Sequence, residues 1–154
     1  MKRILIAAAA LLFAATPVCA KTDDDPGYKI MHDYVLSLPK VKAYEAAFEA
    51  LIAASNADPS LKADVAAASS EADPTVADTI AKMTKHPRVY AFFQQQGLSK
   101  TEASLLPLIL MNACMGVQYP AILAKMGNMV APGQVDFCKA NGPALKSMKF
   151  FSGH

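Results

Sequence analysis

The 154-residue chain has almost no excess charge, with 15 lysines and arginines against 13 aspartates and glutamates. The two extra basic residues are Lys2 and Arg3, and every acidic residue lies after position 20, so residues 21–154 are formally neutral. These residues also lack a cluster of lysines and arginines. The balance excludes the basic surface of nucleic-acid-binding proteins and leaves no patch for anionic lipid.

Motifs of the common enzyme classes are missing as well. The chain has no Gly-x-Ser-x-Gly elbow, no His-Glu-x-x-His, no Gly-x-Gly-x-x-Gly and no phosphate loop. Ser37-Leu38-Pro39-Lys40 matches Ser-x-x-Lys of the penicillin-binding enzymes, but the companion motifs are absent. We therefore assign no catalytic residue and favour a non-enzymatic protein, with a small hydrolase or redox enzyme as a less favoured alternative.

The first 20 residues have the organisation of an export signal. Lys2 and Arg3 precede an uncharged apolar stretch from Ile4 to Ala15, and small Val18 and Ala20 occupy the third-last and last positions before a cleavage site. We expect cleavage after Ala20, which leaves residues 21–154 as one domain in the periplasm or secreted from the cell.

Cleavage at this point removes Cys19 and leaves Cys114 and Cys138. Two thiols in an oxidising compartment most often pair with each other, and no Cys-x-x-Cys motif is present to indicate a redox or metal pair. We expect a disulfide whose loop of about 25 residues stabilises the fold by about 3 kcal/mol.

Apolar residues recur at helical spacing along the whole chain, and no strand pattern is present. The sequence predicts an all-α protein, a single compact bundle of six or seven short helices. After Pro39 one helical stripe contains Val41, Tyr44, Phe48, Leu51, Ile52 and Ser55. A first helix, starting at Asp25-Pro26, is expected to place Ile30, Met31, Tyr34, Val35 and Leu38 on one face.

Helix starts are indicated by a capping residue followed by proline. Asp58-Pro59, Asp73-Pro74 and His86-Pro87 have this form, and Pro132-Gly133 opens the last helical region. Asn141-Gly142-Pro143 is expected to interrupt that region. The stretch 54–79 is the least apolar and is predicted to be exposed or mobile.

One turn is marked by two adjacent signals. Gly97 fits the residue after a helix end, with Leu98 as its hydrophobic contact. Ser99 and Glu102 then form a capping box at the start of the next helix.

The segment Ala103–Ala124 contains no charged residue over 22 positions. Its length fits a membrane span, but Pro107, Pro120 and several polar residues argue against one, and Cys114 would be unable to reach Cys138 from a bilayer. We interpret it as a buried central helix, kinked or broken at its prolines, and expect no stable membrane span.

Candidate ligand-binding residues are Tyr28, His32 and His86. Tyr28 and His32 are four positions apart and share a helix face, and haem iron accepts tyrosine or histidine as an axial ligand. His86 is a second candidate from another helix. Haem is therefore a candidate cofactor, while the ordinary alternative is a partly exposed helix residue and a capping residue.

Sulfur-containing side chains suggest a second, less favoured cofactor, copper. Met111, Cys114 and Met115 share a helix face, and Met126 and Met129 follow. Thioethers select Cu(I), but such a stripe more often fills a core or forms an adaptable apolar surface. The sequence assigns no metal site.

Two runs carry a resemblance to known proteins: HPRVYAFFQQQGLSKTEA at 86–103 and DYVLSLPKV at 33–41. With them the chain resembles small exported helical proteins of Gram-negative bacteria that have no assigned function, which implies fold and compartment only. In architecture the chain is also similar to mycobacterial secreted haem carriers, and no residue is carried over from them.

Two functions follow as hypotheses. The first is a non-enzymatic exported module that binds an apolar small molecule, with haem as a candidate. The second is an interaction module for another exported protein, such as an accessory subunit, inhibitor or immunity-type partner. Accessible Tyr28 and His32 beside a cavity favour the first, whereas an exposed apolar patch, including Phe150-Phe151, favours the second.

Overall fold

The computed structural model describes residues 26–70, 73, 75–123 and 129–148. Within these ranges the chain forms helices and no β-strand, so the all-α prediction is confirmed. The helices are α1 Pro26–Asp33, α2 Leu38–Ala57, α3 Pro59–Ser70, α4 Val76–Lys85, α5 Pro87–Gln95, α6 Lys100–Gln118, α7 Pro120–Leu123 and α8 Pro132–Lys146. The predicted signal peptide, Met126 and Phe150-Phe151 lie outside the described residues.

Helix α6 is the centre of the bundle, as predicted. Helices α4 and α8 pack most extensively against it, and α1, α2, α5 and α7 also contact it. Leu105, Leu106 and Leu110 of α6 are almost completely buried. Because neighbours surround this helix, it can be apolar on every side.

The prolines of the uncharged segment act differently from one another. Pro107 lies inside α6 without ending the helix, so the break expected there does not occur. Before Pro120, by contrast, the helix ends at Gln118, and Tyr119 separates it from the single turn of α7. In the described part of the chain, none of the helices has both the length and the apolar character required of a transmembrane segment.

A disulfide between Cys114 of α6 and Cys138 of α8 joins these two helices, as predicted. The Cα atoms of the pair are 5.3 Å apart, within the usual range for a disulfide. The bond holds α8 beside the C-terminal part of α6.

The turn between α5 and α6 follows both of its sequence signals. Gly97 has a φ of 73°, the left-handed conformation that glycine adopts without strain. The N–H groups of Leu98 and Gly97 donate to the carbonyls of Phe93 and Gln94, which completes a Schellman motif. At α6 the Ser99 hydroxyl and the Glu102 carboxylate form the expected capping box.

The start of α3 was predicted correctly. The Asp58 carboxylate accepts the backbone N–H groups of Ser60 and Leu61 at 2.8 and 3.2 Å. Its pKa is lowered, first by the hydrogen bond from the Ser60 hydroxyl and then by those from the backbone. The stretch 54–79 thus contains a well-capped helix, most of whose side chains are exposed.

The cap predicted for α4 was wrong. Thr75, not Asp73, precedes the helix, and its hydroxyl accepts the backbone N–H of Asp78 at 3.1 Å. The Asp73 carboxylate instead lies 2.5 Å from Nζ of Lys82. The side chain that the sequence assigned to capping is therefore engaged in an ion pair with a lysine nearly two turns into α4.

The prediction for the first helix was partly wrong. Helix α1 ends at Asp33, and residues 34–37 are not helical. Ile30 is 43% exposed and Val35 84% exposed, whereas Met31 is buried. Since the chain leaves the helix before Val35, the spacing that placed Val35 on the inner face no longer applies.

The interruption expected at Asn141-Gly142-Pro143 is also absent, because α8 continues to Lys146. Pro143 has no N–H for the carbonyl of Lys139. Lys139 is exposed, so water can replace this donor. The loss of one bond is tolerated at this surface position.

Candidate functional site

Helix α1 carries two of the three predicted ligand residues and packs very closely on its neighbour. A Cβ added at Gly27 would lie 2.4 Å from the Cβ of Val76, at the start of α4. Only a residue without a side chain permits this approach. Gly27 and Met31 form the buried face of α1.

The other end of α1 is held by one buried side chain, that of Gln134. Its Nε2 atom donates to the carbonyls of Met31, His32 and Tyr34, at 2.7, 3.3 and 2.9 Å. These carbonyls end a helix and lack intrahelical donors. The two amide hydrogens are shared among three acceptors, two in the last turn of α1 and one just after it.

Tyr28 and His32 lie on the same flank of α1, and both are partly exposed. Nδ1 of His32 is 3.1 Å from Oδ1 of Asp33. Among the described residues, neither the Tyr28 hydroxyl nor His32 Nε2 has a hydrogen-bond partner. Both potential ligand atoms are therefore available.

Asp33 determines which nitrogen of His32 is available. A hydrogen bond from Lys29, whose Nζ lies 2.5 Å from the carboxylate, is the main cause that lowers the pKa of Asp33, and the bond with His32 adds to it. An ionised carboxylate only accepts, so Nδ1 of His32 donates. In the neutral ring Nε2 then carries the lone pair, as in histidines that ligate metals.

The structure places His86 on elements other than α1. His86 lies between α4 and α5, at the end of α4 opposite Val76. The ten residues from Val76 to His86 correspond to about 15 Å of helix. Gly27 packs against Val76, so the start of α1 and His86 are at opposite ends of α4.

Donors for a bare metal ion are few. In the described ranges no group of three or more His, Cys, Asp or Glu side chains could hold one. Haem iron is held in its macrocycle and takes only one or two axial donors from the protein. Tyr28 and His32 satisfy that smaller requirement.

The methionine and cysteine face of α6, considered above as a copper site, does not offer a cysteine thiolate as a metal ligand. Met111, Cys114 and Met115 are partly exposed on α6, but the sulfur of Cys114 is bonded to Cys138. In this state it is not a thiolate. Met31 and Met148 belong to the buried core.

A half-buried polar cluster lies where the 34–37 segment meets α6. The Glu102 carboxylate accepts the Tyr34 hydroxyl at 3.3 Å and lies 3.0 Å from Nζ of Lys40, which also donates to the Gly97 carbonyl. Burial tends to raise the pKa of Glu102, but hydrogen bonds from Ser99 and Lys40 lower it overall. Burial, with the nearby Glu102 charge, raises the pKa of Tyr34 to about 12.

These contacts join the 34–37 segment and the start of α2 to the start of α6. Neither Tyr34 nor Glu102 has a pKa suited to general acid–base catalysis near neutral pH. Tyr34 is more strongly protonated than usual and Glu102 more strongly ionised, so neither pKa is displaced toward neutrality. The sequence revealed only its capping box.

No protein-family model matches the chain, and searches of curated proteins and of solved structures found no significant match.

The roles of two residues in this region, Gln134 and Gly27, were not predicted from the sequence. Gln134 lies about 100 positions from the carbonyls that it binds, so no local pattern reports it. Gly27 follows a helix-starting proline, as Gly133 does, and only the partner helix distinguishes the two. Each role depends on a contact with another element.

Proposed function

We propose that the protein is an exported, non-enzymatic binding module for an apolar small molecule, and that haem is the ligand which the α1 flank fits best. The carrying observation is the His32 imidazole, with Nδ1 bound to Asp33 and Nε2 open among the described residues. Tyr28 lies one turn away, with an open hydroxyl that can ligate or flank the iron.

The test is a titration of the purified protein with haem, followed by its absorption band. We expect His32→Ala to weaken binding by at least about tenfold, and Asp33→Ala to weaken it by about tenfold because the imidazole loses its orienting acceptor. His86→Ala is the matched control, since it removes an imidazole at the other end of α4. Equal binding by wild type and His32→Ala would contradict the proposal.

A second function is favoured by one separate observation. Val35, which follows α1, is 84% exposed, and Ile30 of α1 is 43% exposed. These are two of the three large apolar side chains that are exposed in the described part of the chain, and contact with a partner would bury them. Under this alternative the chain is an interaction module for another exported protein.

A photoreactive amino acid at position 35, introduced in the producing cell, tests this alternative. The same group at Lys139, on the exposed side of α8, is the control. One discrete cross-linked partner at position 35 and none at 139 would support the interaction module. No partner at either position would leave haem binding as the better account.

A further inference from the structure

Gln134 uses both ends of its amide, and each end serves a different helix. The Oε1 atom accepts the N–H of Ala131 at 3.1 Å, at the start of α8. The Nε2 atom donates to the last carbonyls of α1, including that of His32. One side chain, 3% exposed, thus closes the N-terminus of its own helix and the C-terminus of α1.

The helix that presents Gln134 is itself fixed. Cys138 is one helix turn after Gln134 and forms the disulfide with Cys114 of α6. Its Sγ is also 3.8 Å from the Leu110 carbonyl. Gln134 therefore projects from a turn that is covalently held to the centre of the bundle.

Helix α1 is short and buries little. It is eight residues long, and its buried residues are Gly27 and Met31. An isolated helix of this length is not stable in water. In the described part of the chain its position depends on packing against α4, including the close contact at Val76, on packing against α6, and on the hydrogen bonds from Gln134.

We propose that Gln134 is a positioning residue for the α1 site: it fixes the backbone that carries Tyr28 and His32 and so determines how the site meets its ligand. The inference rests on the proposed function for its ligand, whereas the attachment of α1 to α8 can be tested without any ligand.

The sharpest variant is Gln134→Glu. A carboxylate keeps the size of the side chain and still accepts from Ala131, but it cannot donate to the carbonyls of α1. When protonated, the carboxyl regains one O–H donor. The variant is therefore expected to release α1 at pH 8 and to restore part of its attachment at pH 4.5.

The matched control is Asn141→Asp on the same helix. Asn141 Nδ2 donates to the Phe137 carbonyl, within α8 itself. The change from amide to carboxylate is the same, but α1 is not involved.

In the described part of the chain, the other ionisable groups on the elements that meet at Gln134 are His32, Asp33 and Tyr34 at the end of α1, and Asp136 and Lys139 on α8 itself, while α6 carries no charge from Ala103 to Gln118. Wild-type protein at both pH values reports their contribution.

The readout is amide hydrogen exchange of ligand-free full-length protein, expressed as protection factors. In Gln134→Glu at pH 8 we expect protection over residues 26–36 to fall by at least about tenfold, with α2 and α6 little changed. At pH 4.5 much of this protection should return. Wild type and Asn141→Asp should protect α1 at both pH values.

Haem titration of the same proteins supplies the second readout. Weaker binding by Gln134→Glu than by wild type and Asn141→Asp at pH 8, where the imidazole of His32 can ligate iron, would support the positioning role. Unchanged protection of α1 in Gln134→Glu at pH 8 would overturn the inference, whether or not the wild type binds haem.

Two further outcomes are separable. If protection falls but wild type binds no haem, the attachment of α1 by Gln134 stands and the proposed ligand fails. If Gln134→Glu does not fold at pH 8, Gln134→Met keeps a similar length and lacks both polar atoms. It should then lose α1 protection at both pH values, and normal protection would overturn the inference.

Discussion

Gly27→Ala should destabilise the protein although alanine is the better helix former. In a helix with open space around the residue, this substitution raises the free energy of unfolding by about 0.5–1 kcal/mol. At Gly27 the new methyl group would lie 2.4 Å from Val76 Cβ and 2.9 Å from its Cγ2. Both helices must shift, and overpacking of this kind costs about 1–3 kcal/mol. The expected net loss is therefore about 0.5–2 kcal/mol.

The chain contains its own control for this prediction. Gly133 also follows a proline at the start of a helix, and a Cβ added there meets nothing within 4 Å. Gly133→Ala should therefore raise the free energy of unfolding. Urea denaturation followed by circular dichroism, with the disulfide intact, measures both variants. Equal stabilisation by the two substitutions would refute the close packing of α1 on Val76.

Three further predictions concern charge and covalent bonding. The pKa of the Glu102 carboxyl is lower in the folded protein than its ordinary value of 4.5. The ionised carboxylate therefore contributes its full stabilisation of the fold above pH 4.5, and this stabilisation is lost as the pH falls below 4.5 and through the folded-state pKa. Glu102→Gln should lower stability at pH 7 and flatten this acid loss in denaturation curves, and an unchanged pH profile would contradict the assignment. Tyr34, whose pKa is raised from 10.0 to about 12, contributes fully below pH 10 and loses its contribution as the pH rises toward 12. In an absorbance titration of the tyrosines, Tyr34→Phe should remove one phenol that ionises above the ordinary pKa of 10.0. Removal of a phenol that ionises at the ordinary pKa would be inconsistent with the burial of Tyr34. Replacing Cys114 and Cys138 by serine should lower the free energy of unfolding by about 3 kcal/mol, and a loss well below 1 kcal/mol would show that the loop is already constrained when unfolded.

Local signals predicted the elements that are determined locally. The Gly97 turn, the capping box at Ser99 and Glu102 and the Asp58 cap all involve groups within a few positions of one another, and all were identified from sequence. The disulfide was predictable because residues 21–154 contain only two cysteines, Cys114 and Cys138.

Features determined by distant contacts could not be predicted in this way. Val35 fitted the helical period, but α1 ends earlier, where Gln134 satisfies its last carbonyls. Asp73 has the sequence context of a helix cap, but in the structure its carboxylate forms an ion pair with Lys82 of α4. Pro143 indicated an interruption because sequence does not reveal that the unbonded carbonyl of Lys139 is at the surface.

For the candidate site, the pattern supplied Tyr28 and His32 as a pair on one flank of a helix, and the described structure keeps them so. The orientation of His32 by Asp33 was not foreseen, because it depends on the side-chain geometry of adjacent residues. His86 was proposed as a further candidate from another helix, and sequence alone contains no information about its distance from the pair.

The disulfide has a further consequence for the chain when it is cut. Tyr119 is 54% exposed at the break between α6 and α7, where a protease of broad specificity has access to the bond between Gln118 and Tyr119. That bond lies inside the loop closed by Cys114 and Cys138. A single cleavage there produces two polypeptides that remain one molecule, so the nicked protein should keep its intact mass, plus one water, and separate into fragments only after a reductant is added.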